Sequence, residues 1–165
     1  MTKEEALSKI LQAYERYYNV NRESPEPPFA AEAVFSLHDE QYFLIKSARI
    51  SEADAREYAF FALADELTPG LFEKLCGAAW EAGLRRMTPG PNMRSLDVSL
   101  LIAADAIPDS TRALIRKTRK SISHRFGFWG YTHYRICAFE AGSGKTAANR
   151  MGDNMERTVK SVLNK

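Results

Sequence analysis

One carboxylate stands inside an otherwise apolar run. Asp97 interrupts Ser95 to Ala104 (SLDVSLLIAA). An ionised acid among such neighbours must be paired, hydrogen-bonded or placed at the mouth of a strand. A partner is available in the chain. Trp129, Tyr131, His133 and Arg135 alternate, and alternate residues of a strand share one face. With Asp97 they make a candidate pocket: aromatic walls, a titratable imidazole and a guanidinium able to hold a carboxylate or phosphate. The plainer reading of the same residues is a structural Asp97–Arg135 ion pair at a sheet edge.

A second constellation is basic. Arg112, Arg116, Lys117, Arg119 and Lys120 crowd one predicted helix. From Ile107 to Arg135 there are seven Lys and Arg against one acid, Asp109. Cations hold phosphates and aromatics stack on bases, so this stretch is a candidate anion or nucleic-acid surface. A solvated helix face has the same composition, and no named nucleic-acid signature is present.

Other motifs point away from their usual chemistry. Gly142-Ser143-Gly144-Lys145-Thr146 resembles a phosphate loop, but that loop needs glycine five places before its second glycine, where this chain has Phe139. The spacing predicts a hairpin turn instead. A nuclease of the restriction endonuclease-like class needs Glu-x-Lys or Asp-x-Lys on a central strand to hold a cation and activate water. Tyr58 to Ala64 carries no charge, and Lys46 has Leu44 two places before it. His38, His124 and His133 lack metal-ligand spacing. Cys76 and Cys137 fall in apolar pattern and read as buried free thiols. Neither a metal nor a cofactor is expected.

These residues need a scaffold, and the hydrophobic pattern supplies one. Tyr58 to Ala64 and Ser95 to Ala104 lack alternation, as strands covered on both faces do. Thr68 to Met87 between them has helical spacing, with a Thr cap and Pro at the first helical position. The three predict a central βαβ unit. Thr2-Lys3-Glu4-Glu5 fits a capping box and opens a helix to about Asn19. Three prolines in Asn21 to Pro28 follow as an extended loop. Ala30 to Ile50 reads as a hairpin, with Tyr42 to Lys46 as its return. A basic helix runs from Asp109 or Ser110 to about His124. A long strand follows over Phe126 to Glu140, then a short return over Thr146 to Asn149 and a closing helix from Asp153. The fold class is α/β, on the border of α+β: helix–mixed sheet–helix layers in the order αβββαβαββα. That order allows a restriction endonuclease-like core.

At 165 residues, 45% hydrophobic and 27% charged, the chain suits one domain over 1–165, with a helix over 1–20, a proline-rich loop over 21–29 and a core over 30–165. The net charge of +2 hides an asymmetry. Met1 to Ala106 has 11 Lys and Arg against 17 Asp and Glu, a net of −6, whereas Ile107 to Lys165 has 12 against 4, a net of +8. No signal peptide or membrane-length apolar run is read, so the expected location is the cytoplasm, without a membrane partner.

Tyr42-Phe43-Leu44-Ile45-Lys46-Ser47-Ala48, Glu57-Tyr58, Asn92-Met93-Arg94-Ser95, Phe126-Gly127 with Gly130, and Asn149-Arg150-Met151-Gly152 occur in an order that resembles a family of small uncharacterised prokaryotic proteins. The resemblance implies a single domain and supplies no activity. Asn92 stands where relatives place histidine. The expected function is therefore a non-catalytic binding or interaction module with a basic C-terminal half, taking an anionic ligand or nucleic acid. The competing class is a metal-dependent phosphodiesterase or nuclease with a divergent site. An edge strand near Thr146 would permit a homodimer.

Overall fold

The computed structural model describes residues 1–36, 55–88, 90–91 and 95–165. Helix α1 (Lys3–Tyr14) starts at the capping box: Thr2 Oγ1 accepts the Glu5 N–H at 3.1 Å, and Glu5 Oε2 accepts the Thr2 N–H at 2.8 Å. The helix stops well short of Asn19. Tyr18 folds back so that its ring meets Tyr14 at 4.6 Å and Phe35 at 5.4 Å between centroids. That turn frees Asn19–Asn21 to form β1.

Strands β2 (Ala31–Ser36), β3 (Ala55–Glu66) and β4 (Asp97–Ala106) follow, with α2 (Pro69–Arg86) between β3 and β4. Thr68 Oγ1 accepts the Leu71 N–H at 3.2 Å and caps α2. Next come α3 (Asp109–Lys117), β5 (Ser121–Ser123), β6 (Tyr131–Glu140), β7 (Thr146–Ala148) and α4 (Asp153–Leu163). The seven strands form one mixed sheet in the order β1–β2–β3–β4–β6–β5, with β7 also on β6. β3, β4 and β6 run parallel; the other pairings are antiparallel. The βαβ unit expected at the centre is there, and the fold is α/β.

Both sheet faces are covered. Phe61, Leu101, Ala103, Cys137 and Phe139 pack under α1 and α4. Phe60, Val98, Leu100, Ile102 and Ile136 pack under α2 and α3. Burial of each large side chain contributes about 1.5–3 kcal/mol. This two-sided burial explains why the central strands show no alternation.

Two further expectations change. The basic helix ends at Lys117, and Ser121–Ser123 is a strand rather than its last turn. The long aromatic strand begins at Tyr131 and not at Phe126. Arg125 (φ 49°), Phe126 (φ 56°), Gly127 (φ 90°) and Gly130 (φ 90°) adopt left-handed backbone, which no strand can continue through. The first half of the hairpin over 30–50 is β2, which pairs with β3; its expected return, Tyr42 to Lys46, lies outside the described residues.

One edge of β6 is shared. β5 pairs with residues 131–133 and β7 with residues 137–139. Between them the buried Asn149 side chain takes the place of a strand. Its Oδ1 accepts the Ile136 N–H at 2.9 Å, and its Nδ2 donates to the carbonyls of Tyr134 (2.8 Å) and Thr118 (3.1 Å). Gly152 lies against the same stretch, and a Cβ there would stand 2.3 Å from the Ile136 oxygen. The Asn149-Arg150-Met151-Gly152 motif thus closes a gap in the sheet edge.

Candidate functional site

Parallel register brings β3, β4 and β6 together at their amino-terminal ends. Glu57 pairs with Asp97, and Ser99 with Arg135. Arg135 does not bond Asp97. Its Nη1 donates to Glu57 Oε1 at 2.8 Å, and Ser99 Oγ donates to the same oxygen at 2.6 Å. Glu57 is 5% exposed, so this is a buried carboxylate with a guanidinium and a hydroxyl upon it. Burial works against the Arg135 charge, but Glu57 and then Asp97 outweigh it, and its pKa is raised. Burial pushes the Asp97 carboxyl up, with Arg135 pulling the other way. The expected Asp97–Arg135 pair is therefore a Glu57–Arg135 pair with Asp97 beside it. Sequence reasoning passed over Glu57 because it precedes the uncharged run by one residue; the signal was its place at the head of an apolar strand.

Of the remaining pocket candidates, His133 stays beside Asp97, whose carboxyl its backbone N–H helps to hold down, and Trp129 does not. Tyr131 and His133 share a face, with stacked rings 6.3 Å apart and 14° between planes. Trp129 leaves them. It sits on the turn before β6, and the Arg125 guanidinium lies 4.5 Å from its ring centroid.

The basic residues separate as well. Arg112 is 7% exposed and paired with Glu140 at 2.7 Å, an internal brace between α3 and the end of β6 rather than a surface cation. Arg116 and Lys117 are exposed on the last turn of α3. Arg119 and Lys120 lie beyond the helix, where they line an open cleft of about 360 Å³ with Ser121, His133, Arg150 and Met151. Among the described residues, none of Arg119, Lys120 and Arg150 has a carboxylate partner within 4.0 Å.

The cleft lies at the base of the β5–β6 hairpin, and its tip is aromatic. Phe126 is 95% exposed, Phe128 85% and Tyr131 47%. The turn is tied down beneath them: the His124 N–H reaches the Gly130 carbonyl at 2.9 Å, and buried His124 Nε2 bonds Thr132 Oγ1 at 2.7 Å. Two consecutive left-handed residues that are not glycine cost about 1–2 kcal/mol each. That strain displays two phenylalanine rings to water. Sequence reasoning located the aromatics but assigned them to a strand; the Gly127 and Gly130 spacing was the available sign of a turn.

The glycine-rich motif is the β6–β7 turn. Ser143 Oγ donates to Glu140 Oε2 at 2.6 Å, and the segment that follows directly is strand β7, not a helix. Both cysteines are free and buried, and burial pushes the Cys137 thiol up to about 12. Among the described residues, no three His, Cys, Asp or Glu side chains converge as a metal site, and no helix is long and apolar enough to cross a membrane.

Residues 2–161 match the family model described as "Domain of unknown function (DUF8052)". No curated protein and no solved structure matches the chain.

Proposed function

The chain belongs to this family of unknown function, and from that premise we propose that it is a non-catalytic module binding single-stranded nucleic acid along the β5–β6 hairpin. One observation supports the reading: the β5–β6 hairpin carries at its base a cationic cleft with no carboxylate partners among the described residues, and at its tip exposed aromatic rings. Arg119, Lys120 and Arg150 would hold phosphates. Phe126, Phe128 and the Tyr131–His133 stack would receive bases, whose π-faces stack on aromatics without sequence preference. The +8 charge of residues 107–165 favours the encounter.

Fluorescence anisotropy with a labelled oligo(dT) of about 12 nucleotides tests this. Three phosphate contacts on a single strand give a log affinity–log salt slope of about −2. Phe128→Ser is expected to cost about 1–3 kcal/mol of binding, and the triple Arg119, Lys120 and Arg150 to Ser variant to flatten the slope. Binding untouched by either change would overturn the proposal. So would Phe128-dependent retention on anionic vesicles without oligonucleotide binding.

The competing phosphodiesterase or nuclease reading, together with a restriction endonuclease-like relationship, draws support only from the order of the elements. Mn²⁺-dependent cleavage of the same oligonucleotide would favour it over a binding module.

A further inference from the structure

A second cleft lies between the two helices that cover the α1/α4 face of the sheet. The end of α1 and the length of α4 enclose an open cavity of about 470 Å³, floored by Glu57 and Arg135. This volume falls within the range of small-ligand sites. Its chemistry differs from that of the hairpin. Tyr14, Tyr17 and Tyr18 line the α1 side; Tyr17 is 65% exposed, and among the described residues its ring meets no other ring.

The charge inside the cleft has one sign left over. Glu57 Oε1 already accepts Ser99 and Arg135. Arg135 Nε donates to the Met151 carbonyl at 3.2 Å and Nη1 to Glu57, while Nη2 makes no hydrogen bond among the described residues. Arg16 and Arg157 stand on opposite walls, and neither has a carboxylate partner among the described residues. Glu57 is the one acidic side chain among the described residues of the lining. A cleft with tyrosine on one wall, two guanidinium groups that have no carboxylate partner among the described residues and a third donor on the floor is complementary to a flat ring bearing one carboxylate.

We propose that the α1/α4 cleft binds a small aromatic carboxylate, its ring against Tyr17 and Tyr18 and its carboxylate held by Arg16 and Arg157 above Arg135. This site is independent of the hairpin and of nucleic-acid binding.

Saturation-transfer NMR and calorimetry on the full chain with benzoate test it, with benzamide and inorganic phosphate as comparisons. Benzoate is expected to bind. Benzamide has the same ring without the charge and should bind about tenfold more weakly, and phosphate, without a ring, weaker still. Arg157→Ser and Arg16→Ser should each lower benzoate affinity about tenfold, and Tyr17→Ala several-fold, with circular dichroism unchanged because all three side chains are on the surface. Phe128→Ser should leave benzoate binding intact. Absence of saturation transfer, equal binding of benzoate and benzamide, or an Arg157→Ser variant that binds as the parent does would each overturn the proposal.

Discussion

Arg135 of β6 crosses over β4 to bond Glu57 of β3, Nη1 to Oε1 at 2.8 Å, with Ser99 of the intervening strand donating to the same oxygen. Three parallel strands are thereby pinned at one end by a single buried carboxylate. Removing one partner of such a pair leaves an uncompensated charge, whereas replacing both with apolar groups of similar size is often neutral. Arg135→Met is expected to cost about 3 kcal/mol, and Glu57→Met with Arg135→Met to recover most of it. Urea denaturation of the single and double variants checks this; a double variant no better than Arg135→Met would refute the account.

The Arg112–Glu140 brace predicts a pH dependence. Burial alone would raise the Glu140 carboxyl, but hydrogen bonds from Ser143, the Ile107 N–H and Arg112 outweigh it and hold the pKa below the ordinary value of 4.5. A carboxylate depressed in the folded state stabilises above its unfolded pKa, and that stabilisation is lost as pH falls through the folded value. Glu140→Gln is expected to cost about 2–3 kcal/mol at pH 7, with the gap to the parent narrowing steadily below pH 4.5. Denaturation at pH 7 and in acid compares the two; a gap independent of pH would refute the linkage.

The sheet-edge plug predicts two costly substitutions on the surface side of the fold. Asn149→Ala orphans the Ile136 N–H and the Tyr134 carbonyl, and should cost about 3 kcal/mol. Gly152→Ala drives a methyl to 2.3 Å from the Ile136 oxygen and should cost about 1–3 kcal/mol. Hydrogen exchange at Ile136 reads the same event locally and should accelerate in both variants. Protection unchanged at that amide would show that β5 and β7 hold the edge without Asn149.

The strained tip predicts a trade between stability and binding. Phe126 adopts φ 56°, a conformation that glycine accepts without penalty. Phe126→Gly is expected to raise stability by up to about 1 kcal/mol while weakening oligonucleotide binding. A thermal melt beside an anisotropy titration tests both halves. Loss of stability would mean that the phenylalanine serves packing rather than recognition.

Much of the scaffold was legible because its signals are local. Thr2 with Glu5, and Thr68 with Pro69, mark helix starts through groups no more than a turn apart. The uninterrupted apolar runs of β3 and β4 announce two-sided burial, and the helix between them implies parallel pairing. Gly142 to Gly144 declares a turn because its backbone has few other uses. Arg119, Lys120 and His133 were each visible as chemistry, but as members of two different groups.

Chain-local physics thus determined the α/β class, the central βαβ unit, the helix caps and the glycine turn. Tertiary structure alone decided which charges meet. Glu57 and Arg135 lie 78 residues apart, and their contact depends on the register of three parallel strands, which packing on both faces sets and no turn encodes. Packing likewise buried Arg112 against Glu140, folded Tyr18 back onto Tyr14 and Phe35, and placed Asn149 in the gap of the β6 edge. Local propensity is indifferent to each of these choices: a cation on a helix has the same pattern whether its partner is water or a distant carboxylate, and only the assembled sheet supplies that partner.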